Sequence, residues 1–283
     1  MKVIMLIPCL MLPNNRQANH KAMQYARENY DVDEFVVNDQ EFEASDYVEG
    51  FKYLHGTYTQ RGGFVKTRNE LLSYFYNSDA DYAIWMDANG RVTKSSLNDL
   101  DTLIQAAKAG NFVGDVVYST LGINISGERI DAKKMPDYMD NVYLVNFKGG
   151  YDWLHGMMMV NLKKKYGEEH YIDDRCDPRK GTSEDIYLAR LFKRLYDVRL
   201  CPTITVSKPS NKTSTWVADK SGYKYPPVDN KTVDAYINEY LKANDIKPHD
   251  KTHKTYKYPR TARNISYLKP YKPKPKKKAG GLI

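Results

Sequence analysis

The feature that most constrains this chain is the alternation of apolar runs with amphipathic segments over its first 120 residues. The runs "KVIMLIP", "EFVV" and "YAIWM" show no polar alternation, which is typical of strands covered on both faces. The segments between them, at 15–30 and 62–78, carry apolar residues at helical spacing, and Asn15 can cap the first of them. Strands that alternate with helices predict an α/β fold with a doubly wound, mostly parallel, Rossmann-like sheet flanked by helices.

The rest of the chain extends this pattern and then departs from it. The periodicity fades over 121–150, which we interpret as a long excursion over the sheet. A strand entering a helix is expected over 151–167, an amphipathic helix over 182–196 and a last strand over 198–207. The 283 residues, 41% of them hydrophobic, suffice for one large core. We expect three parts: a domain at 1–217, a helical segment at 218–246 and a basic tail at 247–283.

The positive charge of the chain belongs to its C-terminal tail. Residues 247–278 hold 12 Lys/Arg and one acid, a net +11, so the other 251 residues carry −3 of the overall +8. Proline spacing in this Lys/Pro/Tyr-rich tail favours extended backbone. Lysines can contact phosphates and tyrosines can stack on bases. A solubilising tail, attachment to nucleic acid and attachment to an anionic membrane surface all remain open.

Two features of the sequence bear on cellular location. No run of about 18 apolar residues exists to span a membrane, and the apolar N-terminus is broken by Pro8 and Pro13 and has no small-residue cleavage site. The three cysteines are odd in number and lack metal-type spacing. These features predict a reduced, cytoplasmic protein without a transmembrane segment.

Acids stand at the ends of two predicted elements. Asp87 and Asn89 follow the strand "YAIWM" and precede Gly90, a pattern that fits either an Asx-type turn or a divalent-cation site built from oxygen donors. Glu184 and Asp185 open the helix "EDIYLARLFKRL". At a helix start these acids are either favoured simply by the helix dipole, or one of them points into a cleft as a general base.

Two further sets of residues also fit either a structural role or a role in a functional site. Lys66, Arg68 and Asn69 lie on the helix before the "YAIWM" strand, where a cation could bind phosphate, tie down the sheet edge or lie on a solvated helix face. His155 and Gly156 follow the aromatic pair Tyr151 and Trp153 and precede three methionines. His155 fits a packed core residue or a ligand pocket, where Gly156 would allow close approach to the backbone.

The order of these motifs resembles the GT-A glycosyltransferases, broadly the family-2-like enzymes. It runs through "IPCL", "FVVND", "VKTRNELL", "YAIWMDAN", "WLHGMMMV" and "SEDIYLARLFKRL", covering roughly residues 1–217. The resemblance implies a GT-A-like sheet, a nucleoside-diphosphate sugar as donor and a Mn²⁺ or Mg²⁺ ion. It implies a donor nucleotide site at Pro8, Asp39, Lys66, Arg68, Asp87 and Asn89, with Asp39 at the base and Asp87 and Asn89 at the metal.

The resemblance also implies a mechanism. Asp185, with Glu184 beside it, would deprotonate an acceptor hydroxyl for a single displacement, and Trp153, His155 and Gly156 would line the donor and acceptor pocket. The chain departs from the family pattern at Asn89, where a second aspartate is usual. It also lacks a histidine after the last strand, where Lys208 or Lys212 would neutralise the leaving diphosphate instead.

The sequence leaves several alternatives open for the acceptor and for the class of function. Some bacteriophage transferases glycosylate hydroxymethylated DNA bases, and the tail together with the 24 tyrosines suggests such an enzyme, encoded by a bacteriophage. The alternatives are a transferase acting on proteins or cell-surface glycans and a non-catalytic nucleic-acid-binding protein. A sugar nucleotidyltransferase is disfavoured because "IPCLMLPNNR" lacks the glycines of a phosphate loop.

Overall fold

The computed structural model describes residues 1–56, 64–111, 116–121, 143–144, 159–165, 167–196, 198–207, 226 and 229–248. The strands within these ranges are β1 (Val3–Leu10), β2 (Glu34–Gln40), β3 (Phe51–Tyr53), β4 (Tyr82–Met86), β5 (Arg91–Val92), β6 (Val116–Leu121), β7 (Tyr143–Leu144), β8 (Met159–Lys163) and β9 (Val198–Ser207). The helices are α1 (Arg16–Asn29), α2 (Phe64–Asn77), α3 (Leu97–Lys108), α4 (Glu184–Leu195) and α5 (Asn230–Ala243).

These strands form one sheet in the order β3-β2-β1-β4-β8-β6-β9-β5, with β7 also paired to β9. The first four strands are parallel to one another, as expected from the strand–helix alternation at the start of the chain. β8 runs antiparallel between β4 and β6, and β5 and β7 run antiparallel to β9. The α/β prediction is confirmed. The parallel half places the carboxyl ends of β1, β2 and β4 at one edge of the sheet, where ligands bind in open α/β folds.

Apolar side chains cover both faces of this sheet. One core cluster joins β1, β2 and β4 to α2, α4 and α5 through residues such as Leu6, Phe75 and Tyr187. A second cluster joins the opposite face to α1 and α3 through residues such as Met5, Met23 and Leu103. Burial on both faces is the physical reason that the strand sequences lack alternation.

The helix α5 belongs to the first of these clusters. Val233, Ile237 and Leu241 are buried in it, and on the outer side Arg190 and Arg194 of α4 each bind Asp234 of α5. Residues 230–243 therefore share the core of the sheet. Within the described ranges, no helix combines the length and apolar character needed to cross a bilayer.

Two local expectations differ from the structure. Residues 164 and 165, which follow β8, are not helical. Lys164 is buried instead, and its ammonium group donates to the backbone oxygens of Tyr76, at 3.2 Å, and Ser78, at 2.7 Å. Asn15 stands at the N-cap of α1, but its Oδ1 atom accepts from the Leu12 amide and not from an amide of the helix.

Candidate functional site

The carboxyl ends of β1, β2 and β4 meet at one edge of the sheet. Pro8 of β1 is paired with Asn38 of β2, and Cys9 is paired with Asp39. β4 ends at Met86 and continues into a tight turn, in which the Gly90 amide donates to the Asp87 oxygen at 2.8 Å. The stretch thus forms a turn closed by a bond between backbone groups, and the turn leaves Asp87 and Asn89 partly exposed at the edge.

A charged group, here called the Arg68 cluster, forms where α2, β4 and α4 converge. It consists of Arg68, Asp87, Glu184 and Asp185. The Arg68 Nη2 atom lies 3.8 Å from both Asp87 Oδ1 and Glu184 Oε1, and Nη1 contacts Asp185 Oδ1 directly. The guanidinium also lies over the Trp85 ring, 5.3 Å from its centroid. Four of the predicted site residues are thus assembled around one cation.

Burial and charge oppose each other at Arg68. Burial acts to lower the pKa of the guanidinium, but the negative charges of Asp185, Glu184 and Asp87 outweigh it, so the Arg68 pKa is raised. A buried cation is stable only when it is paired and hydrogen-bonded. The carboxylates therefore hold Arg68 in place as much as it holds them.

The two acids of α4 are not equivalent. Ser183 is the N-cap residue, and the Glu184 side chain behind it is 1% exposed, against 23% for Asp185 and for Asp87. Asp185 and Asp87 thus reach solvent, whereas Glu184 faces Arg68 from the interior. A proton acceptor must be reachable by its substrate, which favours Asp185 over Glu184 in that role.

Asp39 lies about 10 Å from Asp87 along the sheet edge, since β1 stands between their strands. It also lies on the other face, because it continues the alternation of Phe35 and Val37, which belong to the second core cluster. Its Oδ2 atom accepts from the Tyr47 hydroxyl at 3.0 Å and lies 3.1 Å from His55 Nδ1. We call Asp39, Tyr47 and His55 the Asp39 pocket.

A second polar group, which sequence reasoning missed, lies beside Asp39 on the α2 face. Asn38 contacts Glu70, and Gln40 contacts Thr67 and donates to Asn38 Oδ1 at 3.3 Å. The run "NDQ" at the end of an apolar strand was the available signal. These buried side chains tie the end of β2 to α2, the helix that supplies Arg68.

Two other residues that the sequence singled out lie on α2. Lys66 is exposed on α2, and Asn69 exchanges two hydrogen bonds with the Ile172 backbone, at 2.8 and 2.9 Å. Trp153, His155, Gly156, Lys208 and Lys212 lie outside the described residues. Sequence reasoning also missed Tyr47 and His55, for which a histidine directly before Gly56 was the only local signal.

The oxygen donors at the end of β4 fit a hard divalent cation. Asp87 offers a carboxylate and Asn89 an amide oxygen, the ligand types that Mg²⁺ and Mn²⁺ take. In the described part of the chain, no three His, Cys, Asp or Glu side chains lie close enough together to hold a metal. These two residues therefore suit an ion that takes most of its ligands from water or a bound phosphate.

Comparison with known proteins bears on the fold. No family model and no curated protein matches the sequence. A solved structure of residues 1–349 of S. aureus TarS in complex with UDP-GlcNAc superposes with a TM-score of 0.51 at 15% identity, over 85% of this chain and 67% of that chain. The sheet and its flanking helices thus have the GT-A-like fold of that structure.

Two further solved structures match more loosely. A second structure of S. aureus TarS gives a TM-score of 0.49 at 14% identity, over 74% of this chain and 36% of that chain. The 4-diphosphocytidyl-2C-methyl-D-erythritol synthase of Anaerococcus prevotii gives 0.40 at 12% identity, over 85% of this chain and 98% of that one. This chain therefore spans about a third of the length of that second TarS chain.

Proposed function

We propose that this protein is a glycosyltransferase that moves a sugar from a nucleoside-diphosphate donor to an acceptor hydroxyl. The observation that carries the proposal is the Arg68 cluster. It joins an acid at the end of a central parallel strand, Asp87, to a solvent-reaching acid at the start of α4, Asp185. The GT-A-like fold shared with the UDP-GlcNAc complex of TarS supports it.

The spacing at the sheet edge suits a nucleoside diphosphate. A base held at Asp39 and a diphosphate held near Asp87 would lie at strand ends two strand spacings, or about 10 Å, apart. Because Asp39 and Asp87 lie on opposite faces of the sheet, such a donor would cross the sheet edge, with its ribose over Pro8 of β1. Arg68 and the exposed Lys66 supply cationic groups on the diphosphate side, where a guanidinium can bind phosphate oxygens in pairs.

The chemistry assigned to the chain is one displacement. The acceptor oxygen forms a bond to the anomeric carbon, the bond from that carbon to the diphosphate oxygen breaks, and the acceptor proton passes to the Asp185 carboxylate. Attack from the face opposite the leaving group inverts the anomeric configuration. Arg68 contacts Asp185 and holds it in position, while Glu184 holds Arg68 from the buried side.

Asp87 and Asn89 would hold a Mn²⁺ or Mg²⁺ ion, with the donor phosphates as further ligands. When bound, the ion supplies positive charge to the departing diphosphate. The chain's own contribution is to orient these two oxygen donors through the 87–90 turn.

A thermal-shift assay with a panel of nucleotide sugars tests the donor site. We expect one nucleotide, with Mn²⁺ present, to raise the melting temperature by about 5 °C at a hundredfold excess over its Kd. The shift should disappear in Asp87→Ala. The control Asp101→Ala, which removes an exposed acid of α3, should respond like the wild type. No shift with any nucleotide would contradict the proposal.

For the acceptor, we propose a hydroxymethylated base in DNA, as for some bacteriophage transferases, reached through the basic tail. The net +11 over residues 247–278 favours this class over a protein or cell-surface glycan. DNA affinity should fall about a thousandfold between 50 and 200 mM salt and be lost when the chain ends at residue 246. A DNA affinity that does not change with salt concentration would exclude a DNA acceptor.

The free, buried Cys9 and Cys176 support a cytoplasmic location.

A further inference from the structure

The two carboxylate oxygens of Asp39 have different surroundings. The side chain is 3% exposed, yet among the described residues only Oδ2 has partners, the Tyr47 hydroxyl at 3.0 Å and His55 Nδ1 at 3.1 Å. Oδ1 is buried, and no described residue donates a hydrogen bond to it. An unsatisfied buried acceptor is destabilising, and more so when it is charged. A ligand that donates to Oδ1 would remove this cost.

Tyr47 is held in position by the turn that precedes it and by two neighbouring aromatic rings. It follows a short 3-10 turn at Ala44–Asp46, and Arg16 of α1 binds Asp46. Its ring packs against Phe42, with centroids 5.4 Å apart, and edge-on against Tyr53 at 4.7 Å. The ring is nevertheless 42% exposed, an unusual position for a large aromatic side chain that also hydrogen-bonds a buried carboxylate.

His55 is held by its backbone. Its φ is +50°, in the left-handed region that non-glycine residues seldom occupy, and it lies two residues after the end of β3. The next residue must be glycine, because a Cβ atom at Gly56 would lie 2.0 Å from Asn38 Oδ1. Strained backbone of this kind persists where the surrounding structure requires it. Here it brings Nδ1 of a side chain that is 75% exposed onto the buried Asp39.

We propose that Tyr47 and His55 are positioning residues that clamp one oxygen of Asp39 and so decide which bases the pocket accepts. This inference rests on the proposed donor site. With Oδ2 engaged by the clamp, Oδ1 is the oxygen left to accept a hydrogen bond from a ligand. Uracil, thymine and guanine present a ring N–H beside a carbonyl, whereas cytosine and adenine present a ring-nitrogen lone pair beside an exocyclic amino group. In the orientation that brings a ring N–H onto Oδ1, cytosine N3 would instead place a lone pair against it.

The clamp predicts how strongly the site discriminates between bases, expressed as the ratio of two nucleotide affinities. A site built to accept a hydrogen bond rejects a ligand that lacks the donor, because its own buried group stays unpaired. The wild type should therefore bind a diphosphate with a ring N–H, such as UDP or GDP, at least about tenfold more tightly than CDP. Inorganic pyrophosphate, which lacks a base, should not depend on the clamp at all.

Calorimetric titration of UDP, GDP, CDP and pyrophosphate tests the inference on the full chain. His55→Gly removes the imidazole and tolerates the left-handed backbone. It should lower the ratio between the preferred nucleotide and CDP about fivefold, and Tyr47→Phe should do the same. His55→Asn should restore most of the ratio, because an amide reaches the Nδ1 position and Asn accepts φ +50°. Pyrophosphate affinity should be unchanged in all three.

Tyr74→Phe is the matched control, since its hydroxyl binds Glu34 at 2.7 Å and takes no part in the Asp39 pocket. An unchanged ratio in both His55→Gly and Tyr47→Phe overturns the clamp while leaving the donor site intact. Loss of pyrophosphate affinity alongside the ratio also overturns it, because that would indicate general disruption of the fold. If the wild type binds no nucleotide, the proposed function and the clamp fall together.

Discussion

The Arg68 cluster and the Asp39 pocket occupy the same edge of the sheet but are built differently. The cluster gathers one guanidinium and three carboxylates from elements up to 117 residues apart. The pocket uses one carboxylate and two donors within 17 residues of sequence, one of them bracketed by aromatic rings. The first arrangement handles charge, which suits a diphosphate and a proton transfer. The second presents one oriented acceptor, which suits recognition of a base.

The largest difference between the two groups should be in turnover. Asp185→Asn removes the proton acceptor of the Arg68 cluster and should lower the rate of nucleoside-diphosphate release from a nucleotide sugar about 10²–10⁴-fold. Nucleotide binding should persist, because the Asp39 pocket is untouched. Steady-state release assays with parallel calorimetry measure both quantities.

Asp101→Asn, an exposed acid-to-amide change on α3, is the matched control and should keep normal turnover. Near-normal turnover in Asp185→Asn, with nucleotide binding intact, would show that the base has been assigned to the wrong residue.

The next largest effect should be on stability. Arg68→Ala removes the cation that contacts Glu184, which is 1% exposed, and should lower the free energy of unfolding by about 3–5 kcal/mol in urea titrations. Adding Glu184→Gln should recover part of the loss, because it removes a buried charge whose partner has gone.

The comparison variant is Arg179→Ala, whose side chain is 55% exposed and paired with Asp177 at the surface. It should cost no more than about 1 kcal/mol. Equal losses for the two arginines would refute the view that the Arg68 cluster is held together by buried charge.

The smallest effect should come from packing beside the Asp39 pocket. Gly56→Ala places a Cβ atom against Asn38 Oδ1 and should cost about 1–3 kcal/mol in the free energy of unfolding. The double variant with Asn38→Ala removes the colliding oxygen and should be less destabilised by the added methyl group. If the two changes simply add, the clash does not govern the approach of His55 to Asp39.

The parallel half of the sheet was predictable because its signals are local. β1, β2 and β4 were expected from their apolar runs, and α1, α2 and α4 from their periodicity. The helix predicted after β8 is not formed at residues 164 and 165, and this difference has a physical reason. Residues 163–165 carry three lysines, which suit a helix surface, but Lys164 is buried against the carbonyl oxygens at the end of α2. No local pattern reports such a distant partner.

The candidate site likewise has one part that local sequence predicts and another part that depends on tertiary packing. Asp39, Asp87 and Asp185 were recognisable because each stands at the end of a strand or the start of a helix, where chain order alone identifies the position. Arg68 was expected to face phosphate. That it also pairs with Glu184 and Asp185 depends on how α2 and α4 pack on one face of the sheet.

The sequence by itself determined the α/β class, the parallel order of the first strands and the acids at their ends, because periodicity and element termini are properties of neighbouring residues. Only the tertiary structure decided which charges meet at Arg68 and which oxygen of Asp39 has no partner among the described residues. Those outcomes depend on distances between side chains far apart in the chain. Such distances are set by the packing of helices on a twisted sheet.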